Sequence, residues 1–232
     1  MKAVILAAGE GIRMRPLTLT RPKPLVLVDD KPLLHYLISS FPEEISELII
    51  VIGYLGDQIR DYCGSTFLGR PVTYIEQKQK TGTFDALKLC EPYLEKNESF
   101  AVFYADDLID GKTVKHLIKY PLSLVVAEVP DPWRFGVTTL RDDGKLKNIE
   151  EKPEHPTSNL IVTCAYVLTK EIFSYPPIQH PNGEYYLSSV ISEFAKDHDI
   201  EIIHTSFWLP VGTPEDLELA REVVKEHPEL LS

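Results

Sequence analysis

The sequence predicts an α/β protein with a mixed, mainly parallel sheet flanked by helices and a small antiparallel insertion. Short Val- and Ile-rich runs alternate with longer amphipathic stretches, the rhythm of parallel strands joined by crossover helices. In the second half, two short β-like runs flank Asp142-Asp143-Gly144, a hairpin signal that breaks this alternation. The 232 residues are 44% hydrophobic and 25% charged, a globular mix with enough core for a single domain over 1–232.

Along the chain, residues 2–6 form a buried strand, followed by a helix at 33–40, a strand at 48–52 and a helix at 57–63. A strand at 72–75, a helix at 84–91, a strand at 99–104, a helix at 114–119 and a strand at 122–128 continue the series. The insertion is expected as strands at 135–140 and 145–150, with a further strand at 161–168. A helix at 187–196, a strand at 201–204 and a helix at 214–226 complete the reading. The last helix is the best marked. Thr213 is an N-cap, Pro214 opens the first turn, and Glu215 and Asp216 place negative charge at the positive end of the helix dipole.

Composition excludes several functions. Against 24 Lys plus Arg stand 35 Asp plus Glu, a formal charge of -11 that repels a nucleic-acid backbone. No apolar run approaches the roughly 20 residues of a membrane helix. The apolar residues 3–8 are too few for a signal-peptide core, so a cytoplasmic protein with no membrane partner is expected. Cys63, Cys90 and Cys164 form no C-x-x-C pair and read as buried reduced thiols. No H-E-x-x-H or G-x-S-x-G motif is present, which removes the zinc-protease and serine-hydrolase readings.

The first strand runs into Ala7-Ala8-Gly9-Glu10-Gly11-Ile12-Arg13-Met14-Arg15-Pro16-Leu17-Thr18. A glycine-rich turn at the carboxyl end of a parallel strand suits phosphate, because glycine lets backbone N–H groups come close to oxygen. A dinucleotide fingerprint fails at Met14, where a third Gly or Ala is needed, and a P-loop fails for want of Gly-Lys-Ser/Thr. What is left is cationic: Arg13 in the turn and Lys23 in Arg21-Pro22-Lys23-Pro24-Leu25, held extended by its prolines. Such cations suit a triphosphate that loses pyrophosphate.

The stretch K-A-V-I-L-A-A-G-E-G-I-R-M-R-P-L-T followed by R-P-K-P-L resembles the signature of the sugar-1-phosphate nucleotidylyltransferases, which include glucose-1-phosphate thymidylyltransferases and uridylyltransferases. Six separated motifs in order carry the resemblance over nearly the whole chain. It implies a Rossmann-like nucleotidyltransferase fold and transfer of a nucleotidyl group from UTP or dTTP to a sugar 1-phosphate. Mg²⁺ is the implied cofactor, and the nucleoside triphosphate and the sugar 1-phosphate are the implied partners, with a homo-oligomer as the assembly. The left-handed β-helix domain that some members append is expected to be absent.

The resemblance also implies site residues. Leu6, Ala8, Gly9 and Gly11 fall at the nucleotide; Arg13 neutralises its phosphates, and Lys23 stabilises the α-phosphate as it becomes five-coordinate. Gln77, five residues before Gly82, matches the base-reading segment. Its amide offers a donor beside an acceptor, the complement of a uracil or thymine edge. Asp106, in Tyr104-Ala105-Asp106-Asp107, matches the metal ligand, while Asp107 is expected to be solvated or capping. On the sugar side, Gly136, Glu151, Asn159 and Glu184 match sugar contacts, and Lys152 holds the sugar phosphate.

Four positions depart from the family pattern. In Trp208-Leu209-Pro210-Val211-Gly212-Thr213, Pro210 stands where W-x-D-x-G-T has its second metal carboxylate. Ala105 and Cys164 replace glycines, and Ile12 takes a position commonly held by threonine. The departures leave open a nucleotide or nucleotide-sugar binding homologue with little turnover. The opening loop, which cytidylyltransferases share, leaves open a cytidylyltransferase for a polyol or choline phosphate, against which the Gln-to-Gly spacing and Glu151-Lys152-Pro153 argue.

Overall fold

Strand β1 (Lys2–Ala7) shows how the layers are set. Its side chains alternate: Ala3, Ile5 and Ala7 enter one buried cluster, while Val4 enters another on the opposite face. A strand buried on both faces needs helices above and below it, which is why the run is continuously apolar.

The computed structural model describes residues 1–227. After β1 come β2 (Leu27–Val28), β3 (Lys31–Pro32), α1 (Leu33–Ser39), β4 (Glu47–Ile52), α2 (Gly56–Cys63), β5 (Thr66–Phe67), β6 (Arg70–Glu76) and α3 (Thr83–Lys88). There follow β7 (Ser99–Tyr104), β8 (Asp107–Ile109), α4 (Gly111–Leu117), β9 (Ser123–Glu128), β10 (Gly136–Leu140), β11 (Leu146–Glu151) and β12 (Leu160–Thr169). Helix α5 (Leu187–Phe194), β13 (Glu201–His204), β14 (Trp208–Pro210) and α6 (Pro214–Glu226) complete the order.

Ten strands join in one sheet, with the order β11-β10-β12-β7-β1-β4-β6-β5, β9 beside β12 and β13 beside β9. The pairs β1–β4, β1–β7 and β4–β6 are parallel, as the strand–helix alternation predicts. Strand β12 runs antiparallel to β7, β9 and β10, so the sheet reverses direction next to β7. The predicted hairpin is β10–β11, paired from Gly136↔Glu151 to Leu140↔Leu146, with Gly144 at φ 82° in its turn. Helices α1, α2 and α4 cover one face, and α3 and α5 the other.

A third cluster positions the site. Met14, Val26, Val28, Leu33, Leu108, Val211, Leu217, Ala220 and Val224 lock the segment after the glycine turn against α6. Helix α6 starts with a capping box, in which the Thr213 hydroxyl accepts from Asp216 N and Asp216 accepts from Thr213 N. Five of the six predicted helices differ in their limits by one to three residues, most at α3 and α4. Helix α4 starts at Gly111, three residues before the predicted start, because the Asp110 carboxylate caps Thr113 N. Helix α3 ends at Lys88, and Glu91–Tyr93 forms a separate 3-10 turn, since Pro92 has no N–H with which to continue the α-helical ladder.

All three cysteines are buried and free. Among the described residues, no helix is long and apolar enough to cross a membrane.

Candidate active site

The carboxyl ends of β1, β6 and β7 open into one cavity of about 420 Å³. Its lining includes Leu6, Ala8, Gly9 and Gly11 from the first strand and turn, together with Arg13 and Lys23. Gln77 and Gly82 enter from the segment after β6, Asp106 from the end of β7, and Glu184 from the loop before α5. Ten residues named from the sequence thus meet in one place. Lys80, Thr83, Tyr104, Tyr186 and Gly212 also line it, and none of these was singled out from the sequence.

The glycines of the turn are needed for different reasons. Gly11 has φ 61°, and a Cβ there would lie 3.0 Å from both Lys23 Cβ and Thr18 Cγ2. Its carbonyl accepts from Met14 N at 2.9 Å and from the Thr18 hydroxyl at 2.8 Å. Gly11 therefore shapes the turn. A Cβ at Gly9 would meet no protein atom within 4 Å, so packing places no demand on that position. A glycine without a packing reason, beside a cavity, fits close approach of a ligand to the backbone.

Gly82 is structural as well. Its φ is 114°, and a Cβ there would come within 2.3 Å of Tyr185 O and 2.6 Å of Tyr185 N. The chain before α5 crosses it, with Tyr185 N donating to Thr81 O at 2.8 Å and Phe84 N donating to Tyr185 O at 3.0 Å. Gln77 Nε2 donates to Gly82 O at 3.2 Å, which fixes the amide and leaves its Oε1 and second N–H for a ligand.

Charge in the cavity comes in pairs. Lys23 is 8% exposed, and its Nζ donates to Asp106 Oδ2 at 2.7 Å. A buried ammonium needs such a partner, since an unpaired charge there would be strongly penalised. Lys80 pairs with Glu10, a residue of the glycine turn, and Arg15 Nη2 stands 3.6 Å from the other oxygen of Glu10. Arg13 reaches toward Gly212, its Nη2 3.3 Å from where a Cβ of that glycine would lie.

Four residues named for the sugar side are not among those lining this cavity: Gly136, Glu151, Lys152 and Asn159. Three of them gather beside it. Lys152 Nζ lies 4.9 Å from the ring of the cavity-lining Tyr186 and 3.5 Å from Glu151 Oε1. Glu151 also accepts from the Ser188 hydroxyl at 2.7 Å, and a Cβ on Gly136 would lie 3.3 Å from Glu151 Oε2. Gly136 is packed: the same Cβ would meet Ile149 and Val162 at 2.9 Å. Lys152 has φ 46°, a left-handed conformation in which a lysine is strained. Burial, with Glu184 nearby, pushes the Tyr186 hydroxyl up to about 12. Asn159 is exposed, and its carbonyl accepts from Val129 N at 3.0 Å.

The model of the family described as nucleotidyl transferase matches residues 2–227. The chain belongs to that family. A UTP–glucose-1-phosphate uridylyltransferase of Haloferax volcanii is 33% identical over 97% of this chain and 97% of its own length. The bifunctional protein GlmU of Methanocaldococcus jannaschii is 32% identical over 94% of this chain but only 52% of its own. The chain thus spans about half the length of that bifunctional relative. A UDP-glucose pyrophosphorylase solved with UDP-glucose superposes with a TM-score of 0.85 at 25% identity, covering 97% of this chain and 98% of that one. The kinship read from the sequence, with sugar-1-phosphate nucleotidylyltransferases, holds.

The metal side departs from the expectation at Asp107. Its carboxylate is partly buried rather than solvated, and it caps no helix. It accepts from Trp208 Nε1 at 2.8 Å and from the Cys164 thiol. Burial first, and then the neighbouring Asp106, push it up to about 7. The reason is the two-stranded sheet β8–β14, unread from the sequence, which pairs Asp107 with Pro210. Pro210 brings no side-chain donor, and among the described residues no cluster of three or more His, Cys, Asp or Glu is placed to hold a metal. The protein side thus offers one carboxylate, Asp106. That set fits Mg²⁺ only when phosphate oxygens and water complete the shell, as Mg²⁺ commonly prefers.

Proposed function

We propose that this nucleotidyl transferase moves a uridylyl or thymidylyl group from UTP or dTTP to a sugar 1-phosphate and releases pyrophosphate. The observation that carries the reading is the convergence of Gly9, Arg13, Lys23, Gln77 and Asp106 on one cavity from three strand ends. A phosphate oxygen of the sugar 1-phosphate attacks the α-phosphorus of the nucleotide. A new P–O bond forms as the bond to the β-phosphate oxygen breaks, and pyrophosphate leaves with that electron pair. The attacking oxygen is already an anion, so no side chain has to remove a proton.

Catalysis is then positioning and charge neutralisation. Lys23, buried beside Asp106, meets charge at the α-phosphate, and Arg13 meets charge on the leaving phosphates. Gly9 opens the turn for backbone contact with phosphate. Gln77 presents Oε1 to the N3–H of uracil or thymine and its second amide N–H to a carbonyl, since its other N–H holds Gly82 O. Lys152, steadied by Glu151 and the Tyr186 ring, holds the sugar phosphate, and Glu151 holds a hydroxyl. Asn159 is exposed and lies off the cavity. Mg²⁺, carried by Asp106 and the phosphates, would neutralise charge on the triphosphate.

The test is pyrophosphate release from UTP, dTTP, CTP, ATP and GTP, each with glucose 1-phosphate and other sugar 1-phosphates, with Mg²⁺ or EDTA. Release with UTP or dTTP, abolished by EDTA, is the expected result. Pro210 favours one second reading, a nucleotide-binding homologue with little turnover. Tight UTP binding with no release for any pair would support it, and release with CTP alone would support a cytidylyltransferase.

A further inference from the structure

The cavity holds one cation that the nucleotidyl-transfer reading leaves unused. Lys80 lines it from the segment between Gln77 and Gly82, and its ammonium pairs with Glu10, set between the two glycines of the turn. A carboxylate in a turn suited to phosphate is out of place, because it repels the anion that the turn accommodates. Its presence is balanced by Lys80 on one oxygen and Arg15 on the other.

We propose that Lys80 is a further polyphosphate-binding side chain, whose ammonium exchanges between Glu10 and the phosphates of the bound nucleotide. The proposal rests on the nucleoside-triphosphate reading of the site. Two features make the exchange easy. The Lys80 side chain is 56% exposed and that of Glu10 24%, so their pair is of the surface kind that contributes little and is readily broken. When Lys80 moves, Glu10 still has Arg15 at 3.6 Å, so no carboxylate is left without a counter-ion. The Lys23–Asp106 pair differs in the burial of its cation, with the Lys23 side chain 10% exposed against 56% for Lys80.

Charge then ranks the ligands. A triphosphate or pyrophosphate draws Lys80 from Glu10, whereas a monophosphate offers less charge to compete with the carboxylate. Lys80 thereby adds selectivity for polyphosphate over the nucleoside monophosphate.

The experiment is calorimetric titration of the full chain with UTP and with UMP at fixed Mg²⁺ and low salt, using wild type, Lys80→Met, Lys80→Arg, Glu10→Gln and the double variant. Lys80→Met is expected to weaken UTP about tenfold, change UMP less than about twofold, and flatten the salt dependence of UTP binding. Lys80→Arg retains most of the affinity. Glu10→Gln tightens UTP, and Lys80→Met still weakens UTP in the Glu10→Gln background. UTP affinity of Lys80→Met within about twofold of wild type overturns the proposal. So does weakening by Glu10→Gln to the same degree as by Lys80→Met with no further loss in the double variant, the result of a purely structural latch. Wild-type UTP binding without pyrophosphate release for any sugar 1-phosphate defeats nucleotidyl transfer while leaving the Lys80 result to stand. Absence of UTP and UMP binding by the wild type overturns both.

Discussion

The proposed site has two ends built by different means. At the nucleotide end, inside the cavity, the lining comes from the ends of parallel strands: the turn after β1, the segment after β6 and the end of β7. At the sugar end, beside the cavity, side chains do the shaping. Glu151 and Lys152 come from β11 and its end, and Tyr186 from the loop before α5. Pro210, Ala105 and Cys164, three of the four departures from the family pattern, fall around Asp106 on the metal and sugar side. Only Ile12 falls in the turn, where it is 60% exposed.

The largest effect is expected at the shared centre. Lys23→Ala should lower pyrophosphate release by about two to three orders of magnitude, the range for removing one group that meets transition-state charge. It should also lower the melting temperature, because Asp106 loses the partner 2.7 Å away. Release within tenfold of wild type would place charge neutralisation elsewhere and remove the distinction between the two ends.

The glycines sharpen the comparison within the nucleotide end. Gly82→Ala forces a methyl group into the Tyr185 backbone at φ 114° and should destabilise the protein by about 2 kcal/mol or more in urea unfolding. Gly9→Ala should leave unfolding within about 0.5 kcal/mol of wild type, yet weaken UTP binding. The reverse pattern would mean that Gly9 shapes the turn and that Gly82 is the ligand glycine.

Lys152→Ala tests the other end. It should raise KM for the sugar 1-phosphate by about tenfold and leave the Kd for UTP unchanged, since its partners are Glu151 and Tyr186. An equal change in both constants would show that the ends are not separable.

The smallest expected effect concerns pH. Burial pushes the Cys63 and Cys90 thiols up to about 12, above the ordinary thiol value. A group whose folded pKa is raised adds stability below its unfolded value and loses that contribution as pH rises through its folded one. These thiols therefore add nothing to the pH dependence of stability from about pH 6 to 8. Near pH 8, a thiol reagent should label the protein only in denaturant; rapid labelling of the native protein would contradict their burial.

Much of this architecture is legible in the sequence. Continuous apolar runs marked β1, β4 and β7, and Asp142-Asp143-Gly144 marked the β10–β11 turn, because these signals lie within a few residues. The capping box of α6 was equally local. Asp107 was misread because its surroundings come from β14, about a hundred residues later, and a three-residue pairing carries no periodic pattern. Lys80 was passed over because its partner lies 70 residues away in the turn.

By itself the sequence determined the alternation of strands and helices and the glycine-rich, cationic turn, all consequences of short-range sterics and hydrophobic period. Only the tertiary structure decided which charges meet. Lys23 with Asp106, 83 residues apart, and Lys80 with Glu10 depend on which strand ends become neighbours. That order follows from burying both faces of one sheet beneath helices, a condition on the whole chain that no local pattern encodes.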